Sequence, residues 1–291
     1  MKDKKRRIGG KRHDTIHAAL NLTEERKYII WRNNNFFLRE AYKAARTNII
    51  FSLAGKEGCR VISVSSALQS EGKSTTSVNL AMSLADMGSK VLLIDCDLRK
   101  PKISRLLEIT TAGGLTDVLV NRVSAEQAAI RYREDKTLWV MSTGEIPPNP
   151  SELLASEAMQ KLVESMKQTF DYILLDTPPV DVVTDALVLS HVIDGIVMVV
   201  RMGQSDRRSV AHAIDQLEYV NVKILGTIIN GTDQGTGSYG YKRFGYGQYG
   251  YSRYGYGRYG YGRYGYGRYG YGYGSRPNDQ ATGAKQGQNG L

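Results

Sequence analysis

The sequence predicts an α/β domain, in which helices cover both faces of a mainly parallel sheet, followed by a tail rich in tyrosine and glycine. Short apolar segments alternate with segments of helical apolar spacing over residues 35–232, and this alternation is typical of such a sheet. From residue 239 to 273 the chain repeats units such as YGYGR, which hold 14 of its 19 tyrosines. These repeats offer little contiguous apolar surface to bury, so we expect residues 233–291 to be disordered. Residues 1–34 are expected to form a separate basic leader.

The predicted elements follow in chain order. A short helix is predicted near residues 20–30 of the leader, and apolar spacing predicts further helices at 36–52, 73–86, 151–169, 184–192 and 206–220. Apolar runs of strand length predict strands at 61–65, 91–95, 138–141, 172–176, 195–200 and 223–229. In sheets of this kind ligands bind at the carboxyl ends of the strands, and the candidate functional residues all follow such ends.

The charge of the chain is concentrated at its ends. The formal net charge is +10, and residues 238–291 hold eight Lys or Arg against one Asp, a net charge of +7. A nearly neutral core argues against nucleic acid as a partner of the folded domain, and leaves the two termini as segments that could meet acidic partners or anionic lipid. With two cysteines, no long apolar run and no secretory signal, we expect a cytoplasmic protein without a disulfide framework or a membrane span.

The segment SALQSEGKST, at residues 66–75, has the spacing of a phosphate-binding loop between a strand and a helix. Its first position is Ala67, where glycine is more usual, so a chance strand-to-helix turn is the alternative. The N–H groups of such a loop and the positive end of the following helix can hold a phosphate, and the loop makes the predicted fold that of a P-loop NTPase. Lys73 would contact the β- and γ-phosphates of ATP, and Ser74 would ligate Mg²⁺. The predicted nucleotide-binding residues are Ala67, Leu68, Gln69, Ser70, Glu71, Gly72, Lys73, Ser74 and Thr75.

Two aspartates, Asp95 and Asp97, come at the end of the second predicted strand. Because they lie two positions apart, an extended chain would project both carboxylates from one side and Cys96 from the other. The carboxylates would then repel one another unless a cation lay between them. The alternative is a solvated pair of turn aspartates that cap the following helix. Arg99 is either a surface charge or a contact for phosphates or a partner.

Asp176 ends the segment YILLD, and two prolines stop that strand sharply. This is the position of the carboxylate that binds Mg²⁺, directly or through water, in P-loop proteins. Alone it is weak evidence, but its order in the chain after the phosphate loop strengthens it. The predicted metal ligands are therefore Ser74, Asp97 and Asp176.

From about residue 38 to 230 the chain resembles the bacterial tyrosine kinases of the capsule and exopolysaccharide class, the BY-kinases. The resemblance rests on the phosphate loop, LLIDCDLRKP at 92–101, PPNPSELL at 147–154, ILLDTPP at 173–179 and the terminal tyrosine cluster. It implies a protein-tyrosine kinase that uses ATP and Mg²⁺ and has no fused membrane domain. The partition ATPases are also similar, but Leu68 stands where they carry a second lysine, so a partition-type ATPase is the less favoured alternative.

The resemblance implies transfer of the γ-phosphoryl group of ATP to a tyrosine hydroxyl. Lys73, Asp95 and Asp97 are the predicted catalytic residues, with Asp95 as the candidate that accepts the phenol proton. We expect one copy to present its tail to the active site of the next, and phosphorylation to reverse the charge of the tail. The predicted acceptors are Tyr254, Tyr256, Tyr259, Tyr261, Tyr264, Tyr266, Tyr269, Tyr271 and Tyr273.

The resemblance also implies partners. Glu40, Lys43 and Arg46 would share one helical face that docks onto a neighbouring copy in a ring, and phosphorylation would dissociate the ring. The family has arginine where this chain has Lys43, so assembly is expected to be weaker, and a solvated helix face is the alternative.

A separate transmembrane activator of the polysaccharide co-polymerase type is implied. It would recruit the kinase to the inner face of the cell membrane, where proteins of polysaccharide synthesis could be substrates. An RNA-binding or condensing protein, acting through the tyrosines and arginines of the tail, is a further alternative.

Overall fold

The computed structural model describes residues 22–133 and 136–232, which form one seven-stranded sheet in the order β3-β4-β2-β5-β1-β6-β7. Each pair of neighbouring strands is parallel except β3 with β4, at one edge of the sheet. The predicted P-loop NTPase-like fold with a mainly parallel sheet is therefore confirmed. The strands are β1 (Arg60–Ser66), β2 (Val91–Asp95), β3 (Ala129–Arg131), β4 (Leu138–Met141), β5 (Tyr172–Asp176), β6 (Gly195–Arg201) and β7 (Ile224–Asn230).

Nine helices with defined bounds lie in the part of the chain that the structure describes, and residues 22–26 are also helical. None of the helices in this part is both long enough and apolar enough to cross a membrane. The nine helices are α1 (Phe36–Ser52), α2 (Lys73–Ala85), α3 (Ile103–Leu107), α4 (Leu115–Leu119), α5 (Ala125–Ala128), α6 (Pro150–Leu154), α7 (Glu157–Met166), α8 (Asp185–Val188) and α9 (Arg207–Tyr219).

Two predicted helices differ from the observed ones. The predicted helix at 151–169 is divided into α6 and α7, because Ser156 caps the second helix by accepting a hydrogen bond from the Met159 N–H group. The predicted helix at 184–192 is only the four residues of α8. Short helices such as α3 carry too little periodicity to be found from sequence.

The central strands are buried on both faces, as a sheet covered by two layers of helices requires. All residues of β2 and β5 are buried, and along β1 alternate side chains enter different clusters. Ile62 and Val64 pack with α1 and α2, whereas Val61 packs with α7 on the other face. Burial of each large side chain of this kind contributes about 1.5–3 kcal/mol, so these two layers hold the strand ends rigidly in place.

The segment before α1 belongs to the packed core. Ile29 is 0% and Ile30 3% exposed, and both pack in the cluster formed with α1 and α2. The side chain of Asn79 in α2 accepts a hydrogen bond from the Ile30 N–H group at 2.9 Å and donates one to the Tyr28 carbonyl at 2.7 Å. The packed domain therefore begins before the predicted boundary at residue 35. The contact joins residues about fifty positions apart, which local sequence patterns do not reveal.

Candidate active site

The predicted phosphate loop connects β1 to α2, as the sequence indicated. Gly72 caps α2 with a left-handed backbone, φ 93°, a conformation that favours glycine. The fully buried carboxylate of Glu71 accepts a hydrogen bond from the Leu68 N–H group at 2.9 Å and another from the Ser205 hydroxyl. Glu71 therefore ties the loop to itself and to the segment that follows β6.

A residue at the end of β7 and one shortly after β6 also support the loop, and no motif predicted either of them. The Asn230 amide donates to the Glu71 carbonyl at 3.0 Å and to the Thr76 hydroxyl at 3.2 Å. Gln204 donates to the Gln69 carbonyl at 2.9 Å. The order of the strands is what links them to the loop. Asn230 ends β7 and Gln204 follows β6, and the carboxyl ends of these parallel strands lie at the same edge of the sheet as that of β1.

Lys73 lies at the centre of a buried charge cluster. Its ammonium group contacts Asp97 Oδ2 at 2.7 Å, and both side chains are nearly excluded from solvent. Burial alone would lower the pKa of Lys73, but the charges of Asp176, Asp97 and Asp95 outweigh burial and raise it. The lysine is therefore fixed in its charged form, beside three carboxyl groups.

The turn after β2 differs from the predicted geometry. β2 ends at Asp95, which still pairs with β5, and the Asp97 N–H group donates back to Asp95 Oδ1 at 3.2 Å. Asp95 Oδ2 accepts N–H groups of Lys102 and Ile103 at 3.1 and 3.0 Å, at the start of α3. The expectation of an extended chain through both aspartates was wrong at Asp97, because the aspartate side chain offers the backbone a competing hydrogen bond.

Asp176 lies opposite Asp95 in the β2–β5 ladder, and both are fully buried. Burial, together with the charge of Asp176, raises the pKa of Asp95 to about 7. Burial also raises the pKa of Asp176, and the charge of Lys73 and the nearby hydroxyl groups of Ser74 and Ser77 counter this only in part. Asp176 Oδ1 accepts the Ser77 hydroxyl at 2.9 Å, whereas its Oδ2 is buried and has no hydrogen-bond partner.

This donor set fits a magnesium nucleotide. The unpartnered oxygen of Asp176, the Asp97 carboxylate and the Ser74 hydroxyl are oxygen ligands of the kind that Mg²⁺ prefers, and the cluster carries an excess of negative charge. Within the described residues, no three His, Cys, Asp or Glu side chains could hold a metal ion by themselves. Phosphate and water oxygens would have to complete the shell, which is how Mg²⁺ commonly binds with a nucleotide.

The predicted interface residues lie on α1. Lys43 contacts Glu40 at 2.7 Å, and both are solvent-accessible. Arg46 instead turns toward its own chain, where it donates to the Ser83 carbonyl of α2 at 2.6 Å. The predicted acceptor tyrosines, Tyr254 to Tyr273, lie outside the described residues.

Together these features define the class of the protein as a nucleotide-binding protein with the P-loop NTPase fold. A family profile described as an AAA domain matches residues 59–224. The chain is 41% identical over 203 residues to tyrosine-protein kinase YwqD of Bacillus subtilis (strain 168), a match that covers 69% of this chain and 85% of YwqD.

Tyrosine-protein kinase ptk of Acinetobacter johnsonii is 34% identical over 225 residues, which are 76% of this chain and 30% of ptk. The solved kinase domain of the Escherichia coli tyrosine kinase ETK is 30% identical, with a TM-score of 0.65 over 70% of this chain and 80% of that domain. The chain belongs to the bacterial tyrosine-protein kinase family, and it is a protein-tyrosine kinase. The resemblance read from the motifs is confirmed.

Proposed function

We propose that the chain uses ATP and Mg²⁺ to phosphorylate the tyrosines of its own C-terminal cluster, one copy acting on another, and thereby regulates capsule or exopolysaccharide synthesis and export. The observation that carries the proposal is the contact of Lys73 with Asp97 at 2.7 Å, beside a buried oxygen of Asp176 that has no partner. The choice of acceptor is supported by the repeated tyrosines of the tail, in a chain whose relatives are named tyrosine-protein kinases.

The residues of the site have distinct tasks in this proposal. ATP supplies the γ-phosphoryl group, and Mg²⁺ offsets its negative charge. The amides of residues 67–75 and the Lys73 ammonium bind and orient the phosphates. Ser74, Asp97 and Asp176 would hold the metal ion, and Ser77 binds one oxygen of Asp176, which leaves the other oxygen available as a ligand. Most of the catalytic effect then comes from position and charge.

Asp95 is the proposed acceptor of the phenol proton. Its pKa of about 7 suits a base that works near neutral pH. Because Asp95 is fully buried and its oxygens accept backbone N–H groups, the tyrosine hydroxyl must enter the site to reach it. An Asp95→Asn variant should lose the acidic limb of the pH–rate profile. An unchanged profile at full kcat would remove Asp95 from the mechanism.

The first experiment incubates the purified chain with Mg²⁺-ATP and maps phosphotyrosine by mass spectrometry. Lys73→Met should abolish labelling, because the phosphates lose their fixed cation. Lys161→Met is a matched control, since Lys161 is 73% exposed and its ion pair is with Glu157, which is also exposed. Full labelling of the Lys73 variant would refute the assignment. ATP hydrolysis without phosphotyrosine would favour a partition-type ATPase, and tight salt-sensitive RNA binding through the tail would favour the RNA-binding alternative.

The second experiment tests transfer between copies. A full-length Lys73→Met chain is mixed with an active chain that ends at residue 232, so that acceptors and active sites are on different molecules. Label on the full-length variant is the expected result. Absence of label there, while unmixed wild type labels itself, would show that transfer occurs within one copy.

Assembly into a ring is proposed to involve Glu40, Lys43 and Arg46 and to be reversed by phosphorylation. Each phosphate adds about −1.5 to −2 charges at neutral pH, so a few of them would reverse the +7 of residues 238–291. Light scattering before and after ATP treatment should show a fall in mass. Equal mass in the two states would contradict the proposal.

We also propose a separate transmembrane activator of the polysaccharide co-polymerase type, which would bring the kinase to the inner face of the cell membrane. The match covers 30% of ptk, so that relative holds further segments that this chain does not match. A fluorescent fusion should lie at the membrane only when the activator is co-expressed. Membrane localisation in cells without it would contradict recruitment by this route.

A further inference from the structure

Arg99, Ser151 and Asp185 form a closed group of hydrogen bonds, which we name the Arg99 cluster. Arg99 Nε and Nη2 donate to Asp185 Oδ2 and Oδ1 at 2.9 and 3.0 Å, a two-pronged contact. The Ser151 hydroxyl accepts from Arg99 Nη2 at 3.0 Å and donates to Asp185 Oδ1 at 2.6 Å. Asp185 is 0% exposed, so three donors satisfy a carboxylate that water does not reach.

The cluster joins the loops that carry the site. Arg99 comes two residues after Asp97, and Asp185 begins α8, nine residues after Asp176. Ser151 lies in α6, within the segment PPNPSELL. Because β2 and β5 are adjacent strands, the loops that leave their ends are neighbours, and the cluster fixes one against the other.

The contacts of Arg99 differ from both sequence-based interpretations, which were a surface charge and a contact for phosphates or a partner. Its guanidinium is bound to Asp185 and Ser151 of its own chain, and the hydrogen bond to Asp185 raises the pKa of Arg99 further above its ordinary value. A side-on pair of this kind requires the planar guanidinium, because a lysine ammonium cannot span both carboxylate oxygens with the same geometry. Arg99 therefore acts through Asp185.

We propose that the Arg99 cluster sets the position of Asp97 relative to Asp176 for the binding of magnesium nucleotide, and that PPNPSELL serves the reaction through Ser151. The inference rests on the proposed function, which assigns both aspartates to the metal ion. Arg99, Ser151 and Asp185 are positioning residues. Displacements of about 1 Å in such a site can lower the rate about 100-fold. Hydrogen bonds that hold the two loops in place therefore affect the rate of the reaction.

The experiment measures the Mg²⁺ concentration that half-saturates binding of methylanthraniloyl-ATP, by fluorescence, together with Tm. Arg99→Lys should raise this concentration by up to about 10-fold, the lower end of the effect of losing a group bonded to a metal ligand, because Arg99 acts on Asp97 only through the loop; Ser151→Ala should raise it less. Arg122→Lys is the matched control, since Arg122 is 62% exposed, and it should leave the value unchanged.

A double variant, Arg99→Met with Asp185→Leu, separates position from stability. Asp185 is 0% and Arg99 40% exposed, and apolar replacement of both partners leaves no buried charge unpaired, so this variant should lose little Tm and still require more Mg²⁺. Wild-type Mg²⁺ dependence in the double variant, or in both single variants, would overturn the proposal. Asp97→Asn shows which proposal is wrong. If it shifts the Mg²⁺ dependence and the cluster variants do not, only the cluster proposal is wrong. If Asp97→Asn has no effect, the assignment of Asp97 to the metal ion is wrong.

Discussion

Replacing Ile29 with alanine should destabilise the kinase domain strongly, although Ile29 lies in the segment that the sequence assigns to the leader. The side chain is 0% exposed and packs among residues of α1 and α2. Replacement of a fully buried isoleucine by alanine costs about 2–5 kcal/mol, through lost transfer energy and the cavity left behind. For a domain of roughly 200 residues each kcal/mol lowers Tm by about 2–4 °C, so the expected fall is about 4–20 °C.

Urea unfolding followed by circular dichroism measures this free energy directly, and a thermal scan gives Tm. Ile146→Ala is the matched control, because Ile146 is 62% exposed and should change stability by no more than about 0.5 kcal/mol. Asn79→Ala should cost about 1–3 kcal/mol, because it leaves the buried Ile30 N–H group without its acceptor. Equal stability of the Ile29 and Ile146 variants would refute the view that the core extends to residue 29.

Two further predictions concern the site. The pKa of Asp95 is raised to about 7 in the folded chain, against about 3.9 in an unfolded one. The folded state therefore binds this proton more tightly, so the free energy of unfolding without Mg²⁺ should fall as pH rises from about 4 to about 7. Tm measured from pH 5 to 7.5 checks this, with a smaller slope expected in Asp95→Asn; a Tm that rises over this range contradicts it. Gly72→Ala should weaken nucleotide binding, because its Cβ would lie 2.5 Å from Asn230 Nδ2. Gly88→Ala is the control, because Gly88 has a similar φ of 87° and its Cβ would have nothing within 4 Å. It should cost about 1–2 kcal/mol of stability and leave the binding of a fluorescent nucleotide unchanged. Equal nucleotide binding by the two variants would contradict a special role for Gly72.

The elements that the sequence predicted well are those with long, regular apolar patterns. Residues 36–52 and 138–141 were predicted with the bounds of α1 and β4, because burial on one face or both leaves a clear period. Ser156 as the cap, with the acidic Glu157 in the first turn after it, is a helix-start signal that could have divided α6 from α7. The antiparallel pairing of β3 with β4 and the order of the strands depend on contacts between distant segments, which no local pattern specifies.

The residues of the site also differ in whether a local pattern predicts them or only the fold brings them together. Lys73 is predicted from the spacing of the phosphate loop, and Asp176 from its position at a strand end that follows this loop in the chain. Asn230 and Asp185 could not be found, because an asparagine at the end of a strand and an aspartate at the start of a short helix are common for structural reasons. Only the fold shows that the first touches the phosphate loop and the second holds Arg99.

Asn230 has one more consequence, because it lies 24 residues before Tyr254, the first predicted acceptor. The residue is bonded to the phosphate loop of its own chain, so the described part of the chain ends close to its own nucleotide site. A flexible linker of 24 residues would span about 25–29 Å. A flexible tether of this kind would give the tail an effective concentration of about 1 mM at its own site. Transfer between copies, as proposed above, would then have to compete with the access of each tail to the site of the same copy.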